Sequence, residues 1–97
     1  MAKGGYTYIV TNKPFGILYV GVTADIAERM IAHRSGRGSS FVRKWGLHRL
    51  VLIEAHDRIE DAIAREKALK NWNRIWKLRL IAEQNPEWHD LFDTLNC

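Results

Sequence analysis

Cysteine is almost missing from this chain of 97 residues: the single one is the last, Cys97. That excludes an internal disulfide and a cysteine-based zinc cluster. Long apolar runs are missing too. The longest aliphatic stretch, Leu50-Val51-Leu52-Ile53, falls far short of the roughly 18–20 residues that a bilayer crossing needs. The opening Met1-Ala2-Lys3-Gly4-Gly5 has no apolar core of a secretory signal, so the expected location is the cytoplasm, away from any membrane. The histidines His33, His48, His56 and His89 form no His-x-x-x-His pair, which sets aside a zinc-protease helix. P-loop, dinucleotide and Gly-x-Ser-x-Gly signatures are absent, as are repeats and low-complexity segments.

Acid is scarce where base is plentiful. The net charge is +4, but residues 1–50 hold eight Lys and Arg against only Asp25 and Glu28, while residues 51–97 hold seven basic and nine acidic side chains. A basic half on a small chain suits a polyanion, of which nucleic acid is the commonest, or else merely solvates the surface. With 46% apolar and 27% charged residues, the chain is expected to form one globular domain over 1–97.

Tyr6 to Thr11 alternates aromatic and β-branched residues and is expected to be a strand. Asn12 to Gly16 is turn chemistry, with Gly16 available for a positive φ, and Ile17 to Val22 completes a hairpin. A helix follows, capped by Thr23, with Ile26, Ala27, Met30 and Ile31 as its apolar stripe and Gly36 at its end. Residues 35–48 are expected to be a basic, Gly- and Ser-rich loop. Arg49 to His56 makes a third strand, its apolar centre implying burial on both faces. Asp57 and Glu60 resemble a capping box for a helix over 58–71, and Asn73 caps another from Arg74 to about Glu83. A short amphipathic tail runs from Trp88 to Leu95. The order β-β-α-β-α-α predicts an α/β chain of α+β type, a mainly antiparallel three-stranded sheet flanked by helices.

Glu66 is the first oddity. At helical spacing it falls between Ala62 and Ile63 on the apolar face, where an ionised carboxylate needs compensation. Either an arginine such as Arg29 pairs with it, or it is a metal ligand on the floor of a cleft. Arg29 and His33, four residues apart, share a helical face and can aim at one phosphate, although any surface helix offers such pairs. Tyr8 and Tyr19 lie on the two hairpin strands within about one residue of direct opposition; they are either packing residues or a pair at a site. Trp72 and Trp76 span a helix junction and suit the core better than a base-stacking role.

Together these residues resemble the GIY-YIG nuclease superfamily, in particular its small bacterial members. The first motif falls on Tyr6-Thr7-Tyr8, lacking its Gly-Ile, and the second on Tyr19-Val20-Gly21. The helix signature Arg-x-x-x-His is Arg29 to His33, and the family's metal-binding glutamate falls on Glu66, within Arg65-Glu66-Lys67. Asn85-Pro86-Glu87-Trp88-His89-Asp90-Leu91 resembles the closing segment of the small subgroup, with Asn71 and Asn73 competing with Asn85 for the late asparagine. The resemblance implies a metal-dependent endonuclease hydrolysing phosphodiester bonds with one divalent cation, Mg2+ or Mn2+, held by Glu66 with water and phosphate oxygens. Arg29 would bind the scissile phosphate, and Tyr8, Tyr19 or His33 would position or deprotonate the attacking water. A tyrosine acting as base would need a pKa depressed by about 3 units, toward which the metal and Arg29 would contribute.

Arg34, Arg37, Arg43, Lys44 and Arg49 would carry the nucleic acid; four phosphate contacts on duplex DNA correspond to a log–log salt slope of about −3.6. DNA is the expected polymer and RNA the open alternative, with weakly selective or structure-dependent action, or targeting by a partner protein. The competing readings are a non-catalytic nucleic-acid-binding module on the same fold and a protein-interaction domain.

Overall fold

The computed structural model of the chain describes residues 4–96; Lys3 and Cys97 lie outside them. Three strands, β1 (Gly5–Thr11), β2 (Leu18–Thr23) and β3 (Arg49–His56), form one antiparallel sheet in the order β2-β1-β3. Around it lie α1 (Ile26–Arg34), α2 (Ser40–Trp45), α3 (Ile59–Asn71), α4 (Arg74–Gln84) and a closing 3-10 helix, Leu91–Asn96. This is the expected α+β architecture with one helix added.

Both faces of the sheet are covered, so its central strand is nearly all apolar or hydroxylic. Ile9, Val20, Val51 and Leu52 pack on one side against Leu69, Leu80, Ile81 and Trp88 from α3, α4 and the segment beyond. Tyr8, Val10 and Leu50 pack on the other against Ile26, Met30, Val42 and Leu47 from the α1–α2 region. A register shift between Ile9 and Val10 against β3 is a bulge, which lets Leu50, Val51 and Leu52 all be fully buried. Each such side chain contributes about 1.5–3 kcal/mol when removed from water.

The departures from expectation are local. The 35–48 segment contains a full turn and a half of helix, α2, because Ser39 caps it by accepting from the Phe41 amide at 3.2 Å. Val42 and Leu47 then bury completely beneath it. Glycine, serine and arginine around two apolar residues hid that element. The cap of α1 is Asp25, which accepts from the Glu28 amide at 3.0 Å; Thr23 ends β2 and accepts from the Asp25 amide at 3.1 Å. The Asp57–Glu60 box does not form. Arg58 stands at the cap position of α3 without a side-chain cap, and its Nε donates to Glu60 at 3.3 Å. Asn73 caps α4 as expected, accepting from the Trp76 amide at 2.9 Å.

In the β1–β2 turn the left-handed residue is Phe15, at φ 59°, rather than Gly16. A non-glycine residue there costs about 1–2 kcal/mol. The geometry is held by Arg74, which donates to the Phe15 and Gly16 carbonyls at 2.7 and 2.8 Å, and by the Phe15 ring against Trp88 at 4.8 Å. Among the described residues, no helix is long and apolar enough to cross a membrane.

Candidate active site

Strand register decides where the tyrosines point. Tyr8 pairs with Gly21 and Tyr19 with Val10, so the two tyrosines are offset by two residues, not the expected one. An even offset puts both side chains on the same face of the sheet, the face that α1 covers. The Tyr8 ring lies over Gly21: a Cβ built there would sit 2.4 Å from the phenol oxygen. Glycine is therefore needed opposite Tyr8, and the Tyr19-Val20-Gly21 motif combines one tyrosine with the space for the other.

The α1 helix brings Arg29 and His33 onto this face. Tyr8 Oη and His33 Nε2 are 2.9 Å apart in the interior, and the Tyr19 ring meets the same imidazole edge-on at 6.2 Å. Tyr8 is fully buried and His33 nearly so. Gly38 closes over the imidazole from the other side, where a Cβ would stand 2.2 Å from Nδ1. That nitrogen is buried without a hydrogen-bond partner. Burial pushes the Tyr8 hydroxyl up to about 12, outweighing Arg29, which acts in the opposite direction; the charges of Tyr19 and Glu66 add to the upward push. Burial lowers His33, helped by the nearby charges of Arg29 and His48. Tyr8 and His33 thus form a neutral, hydrogen-bonded pair in the interior. Without a cation at the site, burial sets the Tyr8 hydroxyl against the phenolate form.

Glu66 reaches the same locus from α3, close enough for its charge to bear on Tyr8. Its side chain is 15% exposed and its cationic partner is Lys70, one turn on, at 3.1 Å from Oε2, rather than Arg29. Ile63, expected beside it in the apolar stripe, is 38% exposed, so the buried seam of α3 is Ala62 and Leu69. The hydroxyl of Tyr8 is thus hydrogen-bonded to His33 and within electrostatic reach of Tyr19, Arg29 and Glu66, so four elements contribute the five candidates around it. They divide into an inner pair, Tyr8 and His33, and a partly exposed outer set of Tyr19, Arg29 and Glu66.

The five basic candidates do not gather in the same way. Arg34 is ion-paired with Asp90, and its guanidinium lies 4.1 Å from the centre of the Phe92 ring. Asp90 is held below the usual carboxylate range by Arg34 and by the Phe92 and Leu50 amides, against the opposing effect of its burial. Arg49 donates to the Trp88 carbonyl at 2.9 Å. Both arginines therefore tie down the closing segment. Arg37, Arg43 and Lys44 are exposed, engaged only by Ser35 Oγ, the Gly36 carbonyl and the Trp45 ring.

The three asparagines all serve local structure. Asn85 is buried, donating to the Val51 and His89 carbonyls and accepting from the His89 amide; Asn71 donates to the Lys67 carbonyl, and Asn73 is the α4 cap. Trp72 packs against the core, whereas Trp76 is half exposed. Sequence reasoning named Gly21 only within the second motif, not as the space for the Tyr8 ring, and missed Gly38, which carried no signal within its glycine-rich loop.

Two inward-facing tyrosines on a hairpin, an arginine and a histidine one turn apart, and a carboxylate from the helix after β3 define a class. Residues 4–79 match the GIY-YIG catalytic domain. The chain belongs to that family, a family of nucleases. Among its relatives, a UPF0213 protein of Staphylococcus saprophyticus is 38% identical over 78 residues, covering 80% of this chain and 94% of that one. A UPF0213 protein of Clostridium perfringens is 34% identical over 80 residues, covering 82% and 85%. The solution structure of a UPF0213 protein from Bacillus halodurans matches with a TM-score of 0.57 at 30% identity, over 90% of this chain and 92% of that one.

Family members generally use a divalent metal, and the donor set here fits only one kind of site. Among the described residues no three His, Cys, Asp or Glu side chains converge, which excludes a closed protein cage of the structural zinc type. A lone carboxylate, largely shielded and paired with one exposed lysine, suits a hard cation that would keep most of its water and take other ligands from a phosphate.

Proposed function

We propose that the protein is a divalent-metal-dependent endonuclease that hydrolyses phosphodiester bonds in DNA, and that Glu66 holds the cation, Mg2+ or Mn2+. The observation that carries this reading is that partly exposed Glu66, Arg29 and Tyr19 all lie within electrostatic reach of the buried Tyr8 hydroxyl, which is itself hydrogen-bonded to His33. A non-catalytic binding module needs neither the carboxylate nor the buried pair.

Arg29 is placed to bind the scissile phosphate and to oppose the charge that grows on it as the bond breaks; a guanidinium fixed before reaction contributes more than one that must reorganise. The metal, when bound, supplies further positive charge at the phosphate and favours the deprotonated form of a nearby water. Tyr19, partly exposed on the same face, is the hydroxyl placed to orient the attacking water. Tyr8 and His33 are positioning residues. Both are buried, their polar atoms Oη and Nε2 face each other, and Gly38 closes the free side of His33, so their role is to fix Tyr19 and Arg29 from behind. Arg37, Arg43 and Lys44 supply phosphate contacts that position the polymer without reading bases.

The direct test is incubation of purified protein with supercoiled plasmid and branched DNA in magnesium, in manganese and in EDTA. Metal-dependent nicking that EDTA abolishes is expected. Equal cleavage in EDTA would refute the metal's role, and inertness on every DNA, with salt-sensitive binding intact, would favour a binding module.

A further inference from the structure

The α2 helix carries two aromatic rings that the core does not use. Phe41 and Trp45 are 44% and 46% exposed, four residues apart on one helical face, with ring centres 6.4 Å apart. Phe41 is stacked on Tyr19, 6.0 Å between centres and 25° between planes. Tyr19 in turn meets His33 at the site described above. The result is a continuous row from the site outward: His33, Tyr19, Phe41, Trp45. Positive charge flanks it. Lys44 Nζ lies 5.3 Å over the Trp45 ring, Arg43 is exposed on the same short helix, and no acidic residue occurs between Glu28 and Glu54.

Exposed rings of this size are expensive to leave in water, and Val42 and Leu47, not these rings, are the side chains that this segment buries in the core. Aromatic faces set among cations, on a stretch of chain without acids, complement a flat, apolar ring tethered to a phosphate. That is an unpaired nucleobase. A base inside a duplex has both faces covered and cannot use the row.

We propose that Phe41 and Trp45 form a stacking platform for an unpaired base next to the scissile phosphate, so that the preferred substrate is DNA with a single-stranded stretch at the cut rather than blunt duplex. The choice of polymer rests on the nuclease reading above, but the platform is testable by binding alone. Stacking is sequence-tolerant because every base has a π face, so the platform selects strand state, not sequence. Lys44 and Arg43 hold the backbone while the rings hold the base.

The experiment is equilibrium binding in EDTA, where nothing is cut, of a single-stranded oligonucleotide and of the blunt duplex of the same sequence. The proteins are wild type, Phe41→Ala, Trp45→Ala, and the aromatic-retaining Phe41→Tyr and Trp45→Phe. Each alanine variant is expected to weaken single-strand binding by about 5- to 150-fold, the range of a lost base stack, while duplex binding changes less than about twofold. The aromatic-retaining variants should bind as wild type, and the oligonucleotide should quench wild-type tryptophan fluorescence far more than that of Trp45→Phe.

Unchanged single-strand binding in both alanine variants overturns the platform. So does quenching of Trp45 by a glutamate- and tyrosine-rich peptide with none by the oligonucleotide, which would assign the surface to an acidic protein. Circular dichroism identifies any alanine variant that has unfolded, and in that case the tyrosine and phenylalanine variants together with Trp45 quenching decide the question. Failure of plasmid cleavage alongside selective single-strand binding would remove the nuclease reading and leave the platform standing.

Discussion

A buried imidazole next to a buried phenol sets the behaviour of this site at the scale of single residues. His33 sits against Tyr8, Tyr19, Arg29 and His48, and its pKa is lowered chiefly by burial. The unfolded chain therefore binds a proton at this residue more readily than the folded one. His33 contributes stability that is full above about pH 6.5 and is lost as pH falls below that value toward its lower folded pKa. Asp90, held low by Arg34 and two amides, acts in a separate window: its contribution is present above about pH 3.9 and is lost only in stronger acid. Thermal melts between pH 8 and pH 5 should show the wild type losing stability on acidification, with a flatter profile for His33→Gln. Parallel profiles would show that His33 does not remain neutral in the fold. The sequence marked Tyr8 and His33 in two separate motifs of one family. It could not show that both are buried, because exposure depends on the glycines that close over them, Gly21 on one and Gly38 on the other.

At the scale of elements, the difference between a cation that binds and one that braces is decided by what the segment after α4 supplies. Arg34 and Arg49 belong by sequence to the basic stretch, yet each is occupied by the closing segment through Asp90, Phe92 and the Trp88 carbonyl. Those partners lie 39 to 58 positions away, beyond the reach of any local pattern. Arg34→Ala should cost about 1 kcal/mol, from one partly exposed ion pair and one cation–π contact, and should lower the melting temperature by about 4–8 °C. It should leave the salt dependence of DNA binding unchanged. Arg43→Ala should do the reverse, with unchanged melting and a shallower slope. With Arg29 on the scissile phosphate and Arg37, Arg43 and Lys44 on the surface around it, four contacts put the wild-type slope on duplex DNA at about −3.6, and at about −2.7 without Arg43. A slope change of that size in Arg34→Ala instead would return this arginine to the binding surface. Helix α2 was equally hidden in sequence, since six residues give too short a window for helical periodicity beside glycine and serine.

Taken as a whole, the molecule is a thin sheet with a core on each side and its chemistry at the place where helices from both sides meet the hairpin. Periodicity and turn residues made the sheet, three of the four α-helices and their order legible, because each strand and long helix buries a face with a regular repeat. The assembly of Tyr8, Tyr19, Arg29, His33 and Glu66 was legible only through the family motif, since the four elements that carry them converge in space and not in sequence. Glu66 is the member of that group with least reason to be there for stability. Its i,i+4 pair with Lys70 is worth about 0.3–0.5 kcal/mol, so removing it should shift the melting temperature by no more than about 4 °C. The measurement that bears most directly on the proposed chemistry is cleavage of a branched DNA in magnesium by Glu66→Ala and wild type prepared identically, each with its melting curve. Cleavage lost by at least about a hundredfold in a variant that melts close to wild type is the expected result. Wild-type cleavage by a folded Glu66→Ala protein would contradict the assignment of Glu66 as the metal-holding group of a nuclease.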